Sequence, residues 1–132
     1  MSDDRNADLY WHKAIESLAG AESELVQERF NNAANRAYYA AFQAAIAALL
    51  RNGIRGKDET WPHRFVQAEF VGKLVNRRHR YPARLRDTLA ELQRLRHRAD
   101  YGGTSITRAD ANLVVRRCLE FVETIRLESE RQ

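Results

Sequence analysis

The residue types best suited to chemistry are gathered in Arg94–Tyr101, RLRHRADY. Guanidinium forks bind phosphate oxygens, while imidazole and carboxylate groups can move or hold a proton. On a helix of about 100° per residue measured from Leu85, Leu89, Leu92 and Ala99 fall within about 40° of one direction. Arg96 falls within about 20° of it, aimed at the core, and Asp100 within about 60°. Arg94, His97, Arg98 and Tyr101 project to the other side. An arginine in an apolar stripe must be paired, and Asp100 stands at i+4 to pair it. Two readings stand side by side. In one, Arg96 and Asp100 form a structural ion pair, joined by the Tyr39 hydroxyl. In the other, Arg96 binds a phosphate that Asp100 orients.

These side chains need a scaffold, and Asn31–Asn52, NNAANRAYYAAFQAAIAALLRN, supplies its centre. The stretch lacks proline and glycine and is rich in alanine, the strongest helix former. Tyr39, Phe42, Ile46, Leu49 and Leu50 make one face of large groups; Ala37, Ala41, Ala44, Ala45 and Ala48 make a second, small face. A helix apolar nearly all round is buried. Arg36 and Tyr39 lie near the large face, so they are expected to join Arg96 and Asp100 at one polar site. The alanine face lets a second backbone approach closely, either a neighbour in the chain or a second copy.

Four further helices are expected. Asp8–Glu28 carries a stripe of Trp11, Ile15, Leu18 and Leu25, weakened at Gly20, and Asn31 or Asn32 caps the central helix. Thr60 with Pro62 opens a third helix to about Val75, with Val66, Phe70, Val71 and Leu74 on one side. The fourth begins near Ala83 and stops at Gly102-Gly103; the fifth is capped by Thr107 in a capping-box pattern with Asp110, and buries Val114, Cys118, Phe121, Val122 and Ile125. No segment alternates as a strand does. The reading is an all-α, single-domain bundle of about five helices spanning 1–132, with its core at about 8–127.

Composition narrows the classes. No run of eighteen apolar residues spans a membrane, and the acidic start MSDDRNAD is unlike a secretory signal. Cys118 has no partner in the chain, so no internal disulfide forms, and a cytoplasmic location is expected. Four scattered histidines and one cysteine do not make a metal site, and no cofactor is implied. His12, His63 and His79 read as exposed residues, and Trp61 as an anchor for the third helix. From Lys73 to Arg98, nine lysines and arginines face only Asp87 and Glu91. Such a density suits an RNA backbone; the bland alternative is a solvated turn whose arginines meet glutamates of a neighbouring helix or an acidic protein partner.

RAYYAAF at Arg36–Phe42 and RHRADY at Arg96–Tyr101, with LEFVETI in the last helix, resemble the HEPN domain superfamily. They match best its small stand-alone subgroup with R-x-Y-Y-A-x-F and R-x-x-A-D-Y patterns, over about Ala14–Leu127. The resemblance implies an all-α domain that often dimerises, with the arginine motif near the dimer interface. It further implies an RNA-directed effector of toxin–antitoxin or defence type, often beside a nucleotidyltransferase-like partner. The site residues so implied are Arg96, Asp100 and Tyr101 for any catalysis, and Arg36, Tyr39, Arg94, His97 and Arg98 for RNA or nucleotide. Catalytic relatives carry an arginine, four to six residues, then a histidine. Aligning the final tyrosine on Tyr101 puts Arg94 at that arginine and Ala99 at that histidine, and alanine transfers no proton. A metal-independent ribonuclease is therefore one reading, and a non-catalytic module binding a nucleotide or partner protein is the other.

Overall fold

A computed structural model describes residues 2–101 and 106–131, the side chains of 2, 3, 100 and 101 excepted. Five α-helices are present among the described residues: α1 (Ser2–Val26), α2 (Phe30–Arg51), α3 (His63–Glu69), α4 (Thr88–Tyr101) and α5 (Arg108–Glu130). The only β feature among these residues is an isolated bridge between Lys57 and Thr60. No described helix is long and apolar enough to cross a membrane.

The Ala-rich α2 is the axis of the molecule and packs against α1, α3, α4 and α5. Neighbours on every side explain why fourteen of its residues are buried. α1 runs antiparallel to it, as three cross-contacts in register show. Asp8 pairs with Arg51 at 3.4 Å, Ser17 Oγ lies 2.7 Å from the Gln43 amide, and Arg36 lies across Gly20. Between these positions Ala40, Ala44 and Ala47 are fully buried, as are Ala7, Ala14 and Ala21 of α1. Small residues on both helices permit the close approach.

This packing corrects four expectations. The alanine-rich face of α2 is covered within the chain, because Ala37, Ala41, Ala44, Ala45 and Ala48 are all fully buried; it offers no surface to a second copy. Ile15 is exposed, and α1 buries Ala7, Ala14, Leu18 and Ala21 instead. α1 also begins earlier than Asp8, at Ser2. Neither Asn31 nor Asn32 caps α2, since the cap position is Arg29 without a side-chain bond. The Asn31 Oδ1 instead accepts the Ile106 N–H at 3.0 Å, tying the approach to α5 onto α2.

Two further boundaries differ. α3 opens at His63 behind Pro62, not at Thr60. It passes into a π-helical segment, Phe70–Arg77, whose wider turns end with Arg78 N–H bonded to Lys73 O at 2.9 Å. Val66, Phe70 and Leu74 are buried as their spacing requires, and Phe70 stacks on Tyr81 with a ring separation of 5.5 Å and meets Phe121 at a tilt with ring centres 5.2 Å apart. Ala83–Leu85 is a short 3₁₀ turn, so α4 itself starts at Thr88. The predicted stop at Gly102-Gly103 lies outside the described residues. The Thr107 cap is present: its Oγ1 accepts the Asp110 N–H at 3.1 Å. The fifth-helix stripe of Val114, Cys118, Phe121, Val122 and Ile125 is buried throughout.

Candidate functional site

Arg96 points from α4 toward α2, as its place in the apolar stripe requires. Its Nε donates to Asn35 Oδ1 at 2.9 Å, and Nη2 donates to the Tyr39 hydroxyl at 3.3 Å. The guanidinium carbon lies 5.2 Å from the centre of the Tyr39 ring and 5.5 Å from that of Tyr38. Half-buried guanidinium over aromatic faces gains about 0.5–2 kcal/mol from each such contact. The side chain is thus fixed by α2 and not left to sample solvent.

The same pair of tyrosines holds a histidine from α3. The Tyr38 hydroxyl lies 2.5 Å from His63 Nδ1. The imidazole stacks on Phe42 with ring centres 4.4 Å apart, lies parallel to Tyr38 at 5.4 Å, and meets Tyr39 edge-on at 6.1 Å. Tyr38 is fully buried, and burial pushes its hydroxyl from 10.0 up to about 12; a Gln67 hydrogen bond and the charge of Arg96 act in the opposite direction. Burial, and then the positive charge of Arg96, hold His63 below its ordinary 6.5. The imidazole is therefore neutral at pH 7.

Outside this cluster, Gln67, Ala90, Gln93, Arg94 and His97 line a shallow groove of about 330 Å³ between α3 and α4. The Gln67 amide donates to Gln93 Oε1 across its floor. Gln67 belongs to both features, so the groove and the Arg96 cluster are contiguous. Arg94, His97 and Arg98 are exposed on α4, on the side opposite the core, as their spacing requires. Arg98 is engaged by Asp110 of α5 at 2.5 Å, and the basic residues that line the groove are Arg94 and His97.

Two predicted members stand differently. Arg36 does not join Arg96: its guanidinium lies along α1, where a Cβ on Gly20 would sit 2.9 Å from Nη1. Its neighbour Asn35 takes the expected place, because Asn35, Tyr39 and Phe42 share one face of α2 (i, i+4, i+7) while Arg36 is rotated toward α1. The side chains of Asp100 and Tyr101 lie outside the described residues, so the proposed Arg96–Asp100 pairing has no geometry here.

The expected exposure of His63 is also corrected. His63, Val66 and Phe70 stand at i, i+3 and i+7, so the apolar stripe of α3 carries the imidazole inward. That spacing was a legible signal, as was a polar Asn35 at the head of α2's large face. The basic junction after α3 turns out to be tethered. Arg78 donates to Asn52 O at 2.9 Å, Arg86 to Asn76 Oδ1 at 3.0 Å and Arg84 to Thr124 Oγ1 at 3.3 Å. These arginines meet carbonyl, amide and hydroxyl groups, where the bland alternative had carboxylates. No group of three or more possible metal ligands occurs among the described residues. Cys118 is buried, and burial raises its thiol from 9.0 to about 12, so it is inert as a nucleophile.

Comparison with protein-family models matches the HEPN domain over residues 7–131. A search of the curated proteins returned no match.

Proposed function

The chain belongs to the HEPN domain family, and on that premise we propose that it is an RNA-directed effector, the toxin-type half of a toxin–antitoxin or defence module. The observation that carries the reading is the fixed Arg96 beside a groove lined by Arg94 and His97. Arg96 is held by neutral Asn35 and Tyr39, bonds that orient the guanidinium. Arg94 and His97 extend the positive surface from that anchor, and the phosphate backbone of an RNA strand fits such a surface. A homodimer through the α4 surface and a nucleotidyltransferase-like partner complete the proposal.

Ala99 favours a second reading, a non-catalytic module that binds RNA, nucleotide or a partner protein without cleavage. Ala99 is half-buried on α4 and offers no proton-transfer group where catalytic relatives have one. Total tRNA incubated with the purified protein separates the two: discrete fragments that vanish in Arg96→Ala support the nuclease, and intact tRNA under every metal condition removes it. Filter binding of short RNA at two salt concentrations tests the shared premise. Each lost phosphate contact lowers the salt slope by about 0.7 on single strands, so Arg94→Ala should flatten it by that amount. Binding insensitive to salt, or none, would leave a protein partner as the ligand.

A further inference from the structure

His63 is built into the Arg96 cluster by four aromatic and polar contacts, yet the reading above gives it no task. Its two ring nitrogens are in different positions. Nδ1 meets the Tyr38 hydroxyl at 2.5 Å inside the core. Tyr38 is fully buried, so its O–H must find an acceptor or forfeit roughly 1–3 kcal/mol. His63 Nδ1 is the hydrogen-bond partner that the Tyr38 hydroxyl has among the described residues. Nδ1 is then the acceptor for the Tyr38 proton, and the histidine proton must sit on Nε2.

An imidazole edge facing away from a buried hydroxyl faces outward, and His63 is partly exposed. Nε2 has no hydrogen-bond partner among the described residues. Arg96 and His63 flank the same two tyrosines, with the guanidinium and the imidazole each within 5.5 Å of the Tyr38 ring centre. Two N–H donors of different character thus share the rings of Tyr38 and Tyr39 as neighbours. We propose that His63 Nε2–H and Arg96 together take the oxygens of one phosphate group, which in the RNA reading is a phosphodiester of the bound strand. A neutral imidazole suits this place, since it donates a hydrogen bond without adding a second charge beside the guanidinium. For its ligand the inference rests on the RNA reading; for its geometry it does not.

The test uses the intact protein at pH 7.5 and a 2′-O-methyl RNA hexanucleotide, which binds but cannot be cleaved by its own 2′-oxygen. Long-range proton–nitrogen spectra should show His63 as the Nε2–H tautomer, and the Nε2 resonance should move when RNA is added. His63→Gln keeps an N–H near the Nε2 position, whereas His63→Asn places one near Nδ1. The Asn variant should bind RNA on the order of tenfold more weakly, about 1.4 kcal/mol, and the Gln variant within about threefold of wild type. The spectra of the unmutated protein decide the matter even if a variant folds poorly. RNA binding that depends on Arg96 while Nε2 stays unmoved overturns the inference and leaves the RNA reading standing. No RNA binding at low salt overturns the RNA reading; AMP added in a parallel arm then decides the site, for a moved Nε2 assigns it to a free nucleotide and an unmoved one removes it.

Discussion

Asn35→Ala tests whether α2 fixes the arginine of α4. Asn35 Oδ1 accepts from a charged Nε at 2.9 Å, and hydrogen bonds to charged groups contribute about 1.5–3 kcal/mol. Both residues are only half-buried, which puts this one near the low end. Alanine recovers roughly 0.5 kcal/mol because asparagine is a weaker former of helix interior. The expected net loss is about 1 kcal/mol, or roughly 3–5 °C in Tm for a chain of this size. Arg96→Met removes the same bond along with its contacts to the rings of Tyr38 and Tyr39, so it should lose about 2–3 kcal/mol. Urea unfolding of wild type, both single variants and the double variant then gives the coupling directly. It should be about 1.5 kcal/mol, the bond alone, because that bond is already absent in Arg96→Met while the helix gain of alanine is the same in both backgrounds. A coupling within about 0.3 kcal/mol of zero would show that Asn35 does not hold Arg96, and the fixed-anchor argument would fail with it.

Other expectations follow from single contacts. Gly20→Ala should stabilise α1 by up to about 1 kcal/mol, since the group it displaces is the flexible end of Arg36; a loss in thermal unfolding would show that Arg36 cannot move. Thr107→Ala should cost about 1 kcal/mol by freeing the Asp110 N–H, and an unchanged urea midpoint would deny the cap its role. Raised native values for Cys118 and Tyr38, both about 12, mean that the unfolded chain ionises first. Stability should be full below pH 9 and fall between pH 9 and 12, by up to roughly 4 kcal/mol for the thiol alone; a flat urea midpoint from pH 8 to 11 would contradict it. His63 has the opposite sense: its depressed native value means stability present above pH 6.5 and lost as pH falls below it, and His63→Gln should flatten that acid limb.

Much was decided by local pattern alone. Apolar spacing along one helix is a property of that helix, so the all-round burial of α2, the stripe of α5 and the Thr107 cap could all be read from the residues themselves. So could the inward aim of Arg96, which follows from its angle to Leu89 and Leu92. Pattern also separated Arg94, His97 and Arg98 from the core. The helix boundaries were less legible where backbone and tertiary contacts compete, as in the π-helical turns of Phe70–Arg77. Their wider geometry accompanies the packing of Phe70 between Tyr81 and Phe121, partners from elsewhere in the chain.

What only tertiary structure decided is which faces meet. Asn35 and Arg36 are adjacent, and a single residue step of about 100° sends one to Arg96 and the other to Gly20. Periodicity cannot choose between them, because the choice depends on the azimuth of α2 relative to helices on either side. The partners are distant in the chain: Arg96 and Asn35 are 61 residues apart, and His63 and Tyr38 are 25 apart. The alanine face is the same case. Sequence established that it is small enough for a close neighbour; packing covered the face within the chain. Residue types and spacing thus determined the helices and an inward-facing arginine, and the docking of α2, α3 and α4 set that arginine and a histidine against the same two tyrosines.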